Sequence, residues 1–112
     1  MASDTLTIGP YTVGEKSAPL VYQFLDSAGS PVDLTGWTAK FLYRRRDGSP
    51  TEAEATVSDP TAGKVTYVWT GSEFSTPGTW WAEFWAGNTA NKIASKRLEA
   101  VVRAAVGTVP AI

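Results

Sequence analysis

The chain has 112 residues, enough for one domain with a real core and too few for two. Ten Lys and Arg stand against eleven Asp and Glu, so no excess charge draws it to nucleic acid or to an anionic membrane. With neither cysteine nor histidine, it lacks disulfides, thiolate chemistry, the commonest metal ligands and the commonest general base.

Met1 to Thr5 lacks the basic-then-apolar pattern of a signal peptide. No apolar stretch approaches the ~20 residues of a membrane span. Synthesis in the cytoplasm, followed by residence there or in a particle, is expected. Thr5 to Ile8, interrupted by Gly9-Pro10 and resumed at Tyr11 to Val13, predicts a split edge strand, since proline is tolerated at edges and bulges. From Pro19 to Leu25, Leu20, Tyr22 and Phe24 alternate with Val21, Gln23 and Leu25, and the polar Gln23 assigns the first set to the core.

Asp26 to Trp37 holds two corners around a short apolar segment. Gly29 and Pro31 make the first. In the second, Asp33 can accept a hydrogen bond from the backbone two residues on, and Gly36 can adopt a positive φ. Val32 and Leu34 are the only large apolar residues between the corners and are expected to plug one end of the core, so Asp33, Leu34 and Gly36 form a structural corner. Trp37 is expected to cap that end.

Thr38 to Arg45 predicts a strand with Ala39, Phe41 and Tyr43 inward. Asp47 to Pro50 turns, and Glu52 to Ser58 reads as a short polar strand at an edge. After the Asp59 to Gly63 turn, Val65, Tyr67 and Trp69 form an inward set. Thr76-Pro77-Gly78 leads into a strand with Trp80, Ala82 and Phe84 inward and Trp81, Glu83 and Trp85 outward. Residues 92–106 read two ways: Ile93, Arg97-Leu98, Val101-Val102 and Ala105 recur at helical spacing, while Leu98, Ala100 and Val102 alternate as a closing strand would. Seven or eight short strands with frequent turns predict an all-β, antiparallel two-sheet sandwich. The whole of 1–112 is read as one domain, with residues 1–10 and 104–112 as extended arms.

Gly14, Leu20 to Asp26, Pro31 to Gly36, Ala39 to Tyr43, Asp59 to Trp69 and Pro77 to Phe84 follow in order. This succession resembles the N-terminal domain of phage baseplate upper proteins and related immunoglobulin-like phage modules. The resemblance covers residues 11 to 86. It implies an immunoglobulin-like sandwich and a virion building block rather than an enzyme, assembling with itself or other virion proteins in many symmetric copies. It also favours a strand for residues 92–106. In that family the domain usually heads a longer chain, whereas here it nearly fills the sequence, so the resemblance implies a virion without a station: tail, baseplate, neck or capsid surface.

No constellation of residues points to catalysis. Glu52 and Glu54 share a strand face, but acidic residues there also protect an edge from unwanted pairing, and that reading is preferred. Asp26, Asp33, Asp47 and Asp59 lie at separate turns, without the clustered pattern of a calcium loop. No cofactor, metal, small-molecule substrate, nucleic acid or membrane is expected. Arg44 and Arg46 point to one side of their strand end and Arg45 to the other. They are either solvated rim residues or donors to a carboxylate on a neighbouring subunit. Trp81 and Trp85 are either covered by the last segment or left as a contact surface for another protein. The protein interface is therefore expected at Trp81, Trp85, Arg44 and Arg46. The alternative is a small carbohydrate-binding sandwich that stacks sugar rings on the two indoles.

Overall fold

The structure, a computed structural model, describes residues 5–112. It contains eight strands and, among the described residues, no helix: β1 (Thr5–Thr12), β2 (Leu20–Gln23), β3 (Thr38–Arg45), β4 (Thr51–Asp59), β5 (Lys64–Tyr67), β6 (Gly78–Gly87), β7 (Lys92–Ala94) and β8 (Arg97–Arg103). The all-β class agrees with the reading of the sequence. Residues 92–106 hold two strands because Leu98, Ala100 and Val102 are all buried at period two, and β8 finds partners on both edges, β1 and β6.

The strands form one path, β1-β8-β6-β3-β4-β5-β2, with β7 beside β6. Three features refine or correct expectation. First, β4 is shared between two pairings. Its Thr51 to Ala55 half pairs with β3, and its second half, from Thr56, pairs with β5. Each half therefore has one paired neighbour and one open side, which fits the edge that its polar composition suggested. Second, this shared strand makes the two layers one curled sheet rather than two separate ones. Third, the pairing is mixed. β1 runs parallel to β8, with a register break between Ile8 and Tyr11 around the cis Gly9-Pro10 bond, while the other pairings are antiparallel.

The curl closes over an aromatic core. Phe41 of β3 stacks on Tyr67 of β5 at 4.3 Å, and Tyr22 of β2 faces Phe84 of β6 at 6.1 Å. Phe41 and Phe84 have no exposed surface, and each such burial contributes on the order of 1.5–3 kcal/mol. The inward sets on β2, β3, β5 and β6 follow the predicted alternation. Val21 and Leu25 lie more than half exposed, while Phe24 is buried.

The two expected arms differ: the first is part of the sheet from Thr5, while 104–112 lies outside any strand and is almost wholly exposed. Residues 1–4 lie outside the described residues, but Thr5 onward is hydrogen-bonded into the sheet as β1. The segment 104–112 forms no strand, yet Val109 comes back against the turn at Gly14. A side chain there would meet Val109 carbons at 2.9 Å.

The chain on both sides of the first corner docks on the Asp59 to Gly63 turn through backbone bonds. Gly63 O accepts from Phe24 N–H at 2.8 Å, and Pro60 O accepts from Leu34 N–H at 2.9 Å.

Candidate functional site

β6 alternates strictly, burying Trp80, Ala82, Phe84 and Ala86 and turning Trp81, Glu83 and Trp85 to the outer face of the sheet. Register then decides their neighbours. Trp81 lies opposite Arg44 of β3 and Glu99 of β8, while Trp85 lies opposite Lys40 of β3 and Ala94 of β7. Both rings are half-buried among these side chains, and each indole N–H has a carboxylate: Trp81 donates to Glu99 at 3.1 Å and Trp85 to Glu83 at 2.7 Å.

Trp81 is the centre of a cationic cluster. The guanidinium of Arg44 sits over its ring at 4.9 Å from the centroid, that of Arg97 at 4.4 Å and that of Arg46 at 5.9 Å. Arg44 comes from β3 and Arg97 from β8, the strands flanking β6, so the indole is approached from both sides of its own strand. Attraction of the cations to the ring quadrupole, roughly 0.5–1 kcal/mol each at exposed positions, offsets part of their mutual repulsion. Arg45 points away and pairs with Asp47 at 3.8 Å. An indole covered this way is not an open platform for a sugar ring.

Trp85 belongs to a second feature, an open groove of about 800 Å³ that it lines together with Gly36, Lys40, Asn88 and Lys92. The groove brings one corner residue, Gly36, beside one of the outward tryptophans. The rest of the corner stays apart. Asp33 Oδ1 accepts from Thr35 N–H at 3.0 Å and Thr35 O–H at 2.6 Å, which holds its carboxyl below the usual range. Leu34 is fully buried, and Gly36 has φ 80°. Glu52 and Glu54, read as edge protection, instead pair across strands with Lys40 of β3. Among the described residues no group of three or more His, Cys, Asp or Glu comes together as a metal site.

Glu73 carries a charge into the core region, only 3% exposed. Its carboxylate accepts from Tyr67 O–H at 2.6 Å, Thr70 N–H at 2.8 Å, Thr70 O–H at 3.0 Å and Gly71 N–H at 3.0 Å. Burial pushes its pKa up, but these donors outweigh burial and hold it below the ordinary value. Burial chiefly, and then the Glu73 carboxylate, push the Tyr67 phenol far above the usual tyrosine range.

The signs follow from linkage. The stability Glu73 contributes is complete above its unfolded pKa, about 4.3, and is lost as pH falls through the lower folded value. Tyr67 contributes fully below about 10 and loses that contribution as pH rises through its higher folded value. Glu73→Gln is expected to destabilise by about 1–3 kcal/mol at neutral pH and to shrink the stability difference between pH 7 and pH 3.5. Denaturant melts of both proteins at the two pH values read this directly. An unchanged acid flank would refute the role of Glu73.

Arg97, Glu99 and Glu73 were not foreseen as members of any site. The alternation of Leu98, Ala100 and Val102 sends Arg97 and Glu99 outward, but only the β6–β8 register shows that they meet Trp81. Glu73 had a local signal, since Thr70-Gly71-Ser72-Glu73 is a capping-box sequence. Here it closes a loop instead of opening a helix.

Comparison with known proteins follows this geometry. A family model described as the BppU N-terminal domain matches residues 12–110. No curated protein matches the sequence. Among solved structures, the N-terminal domain of phage TP901-1 ORF48 is similar, with a TM-score of 0.60 over 88% of this chain and 94% of that one. At 18% identity, that likeness is one of fold.

Proposed function

Because the chain belongs to the BppU N-terminal domain family, a family of phage baseplate modules, we propose that it is a non-enzymatic structural component of the virion. It holds to other virion proteins through the outer face of β3, β6 and β8. The observation that carries this reading is the family match itself, which spans nearly the whole chain. The contact is assigned to Trp81, Trp85, Arg44 and Arg46, with Asp33, Leu34 and Gly36 as a structural corner of which Gly36 borders the adjoining groove. Made in the host cytoplasm, the protein works in the particle, in the baseplate before other stations of the tail, neck or capsid surface, and in several symmetric copies. No substrate, cofactor, nucleic acid or membrane enters this role. The two layers folded over one aromatic core support an immunoglobulin-like description of a single domain. The carbohydrate-binding alternative is not favoured, because Trp81 already carries arginines.

The indole area left exposed is mostly apolar, and burying it contributes at ~25 cal/mol per Å² before association costs. The double change Trp81→Ser with Trp85→Ser is expected to leave the domain folded and to abolish incorporation into particles. Western blots of purified particles, beside circular dichroism of the isolated variant, check this. Normal incorporation of the folded double variant would remove the face from the interface.

A further inference from the structure

Three guanidiniums gather on one indole, yet among the described residues none of the three has a carboxylate within ion-pair distance. The ion pairs found are Lys40 with Glu52 and Glu54, and Arg45 with Asp47. Of the acids on this face, Glu99 is hydrogen-bonded to the Trp81 indole and Glu83 to that of Trp85. The protein as a whole has net charge −1, so this concentration of positive charge is local and runs against the balance of the chain.

Resting on the reading of this face as an interface, we propose that Arg44, Arg46 and Arg97 form a receptor for clustered carboxylates on an acidic segment of a neighbouring virion protein. A guanidinium seated over an aromatic ring keeps its edge N–H groups available for two-pronged bonds to a carboxylate. Arg44 is further fixed by an N–H donated to Arg46 O at 2.9 Å, and Arg97 by one donated to Thr5 Oγ1 at 3.3 Å. These contacts meet some of the ordering cost before the partner arrives. A nucleic-acid backbone is the poorer occupant. The charges form one focus rather than a track along which phosphates could run, and the net charge of the chain gives such a polyanion no long-range attraction.

The experiment follows the indole Nε1–H resonances of the full ¹⁵N-labelled chain while hexaglutamate peptide is added at low salt. A saturable shift at Trp81, larger than that at Trp85, is expected. Binding should weaken about tenfold or more in R44Q/R97Q, as loss of two charge-assisted contacts implies, and strengthen in E99Q, where a competing carboxylate is neutralised. Should the double variant fold poorly, R46Q, at an exposed position of the cluster, must weaken binding too. No shift at Trp81, or equal binding of hexauridylate RNA, would overturn the proposal. A Trp81 shift that depends on protein concentration without peptide would put a second copy there and overturn the choice of partner. Particles separate this proposal from the reading beneath it. Normal incorporation of R44Q/R97Q, with loss of the Trp81→Ser, Trp85→Ser variant, sinks the acidic partner and leaves the interface standing. Normal incorporation of both sinks the interface itself.

Discussion

Leu34→Ala is expected to destabilise the domain by about 2–5 kcal/mol, the range for removing a large buried aliphatic side chain. Leu34 is 0% exposed and sits where the two layers meet the turn before β5. The cost should be high within that range if the site cannot collapse, and its backbone is held on both sides. Its N–H donates to Pro60 O at 2.9 Å and its carbonyl accepts from Trp37 N–H at 2.9 Å. Asp33 and Thr35 close a local turn on one side, and Gly36 sits at φ 80° on the other. With the main chain fixed, the lost methyl groups leave a cavity rather than a shifted loop. Urea denaturation should show a lower midpoint with an unchanged slope. A loss below about half a kcal/mol would mean that the corner is only a surface loop.

Gly63→Ala should cost a comparable amount, about 2–5 kcal/mol, for a different reason. Gly63 has φ 70°, where a side chain brings a penalty of roughly 1–2 kcal/mol. A Cβ there would also lie 2.7 Å from Phe24 O and 2.8 Å from Val32 O. Both obstacles are backbone atoms, and neither can rotate away. The Phe24 carbonyl also accepts from Val32 N–H at 3.0 Å, so moving it breaks the bond that closes the first corner. Relief by displacement therefore costs about as much as the overlap, on the order of 1–3 kcal/mol for overpacking. Gly29→Ala is the control, because it shares the positive φ of 84° and meets nothing within 4 Å. Thermal melts of the two variants should differ by the packing cost alone. Equal losses would show that only the backbone angle matters.

Much of this architecture was legible because alternation is a local property. Leu20, Tyr22 and Phe24, then Ala39, Phe41 and Tyr43, then Trp80, Ala82 and Phe84 declare their faces within a few residues, and those faces are the ones observed. Pairing is not local. Nothing in Glu52 to Ser58 says that one half of β4 pairs with β3 and the other half with β5. Nor does Thr5 to Thr12 state that its partner runs parallel and lies at the far end of the sequence. The candidate site divides the same way. The outward position of Trp81 and Trp85 follows from alternation, and the shared side of Arg44 and Arg46 from period two. Arg97 could join them only once strand and helix were distinguished for the last segment and its register on β6 was known.

The parallel ladder of β1 on β8 has a mechanical consequence. It runs from the Thr5–Arg97 pair at one end to the Thr12–Arg103 pair at the other. The chain enters β1 at the first end and leaves β8 at the second. Tension applied between residues before Thr5 and residues after Arg103 therefore pulls the two strands past each other along their length. All the rungs are strained together, whereas an antiparallel hairpin pulled at its open end would unzip rung by rung. This orientation makes the seam between first and last strands the one best placed to withstand a lengthwise pull.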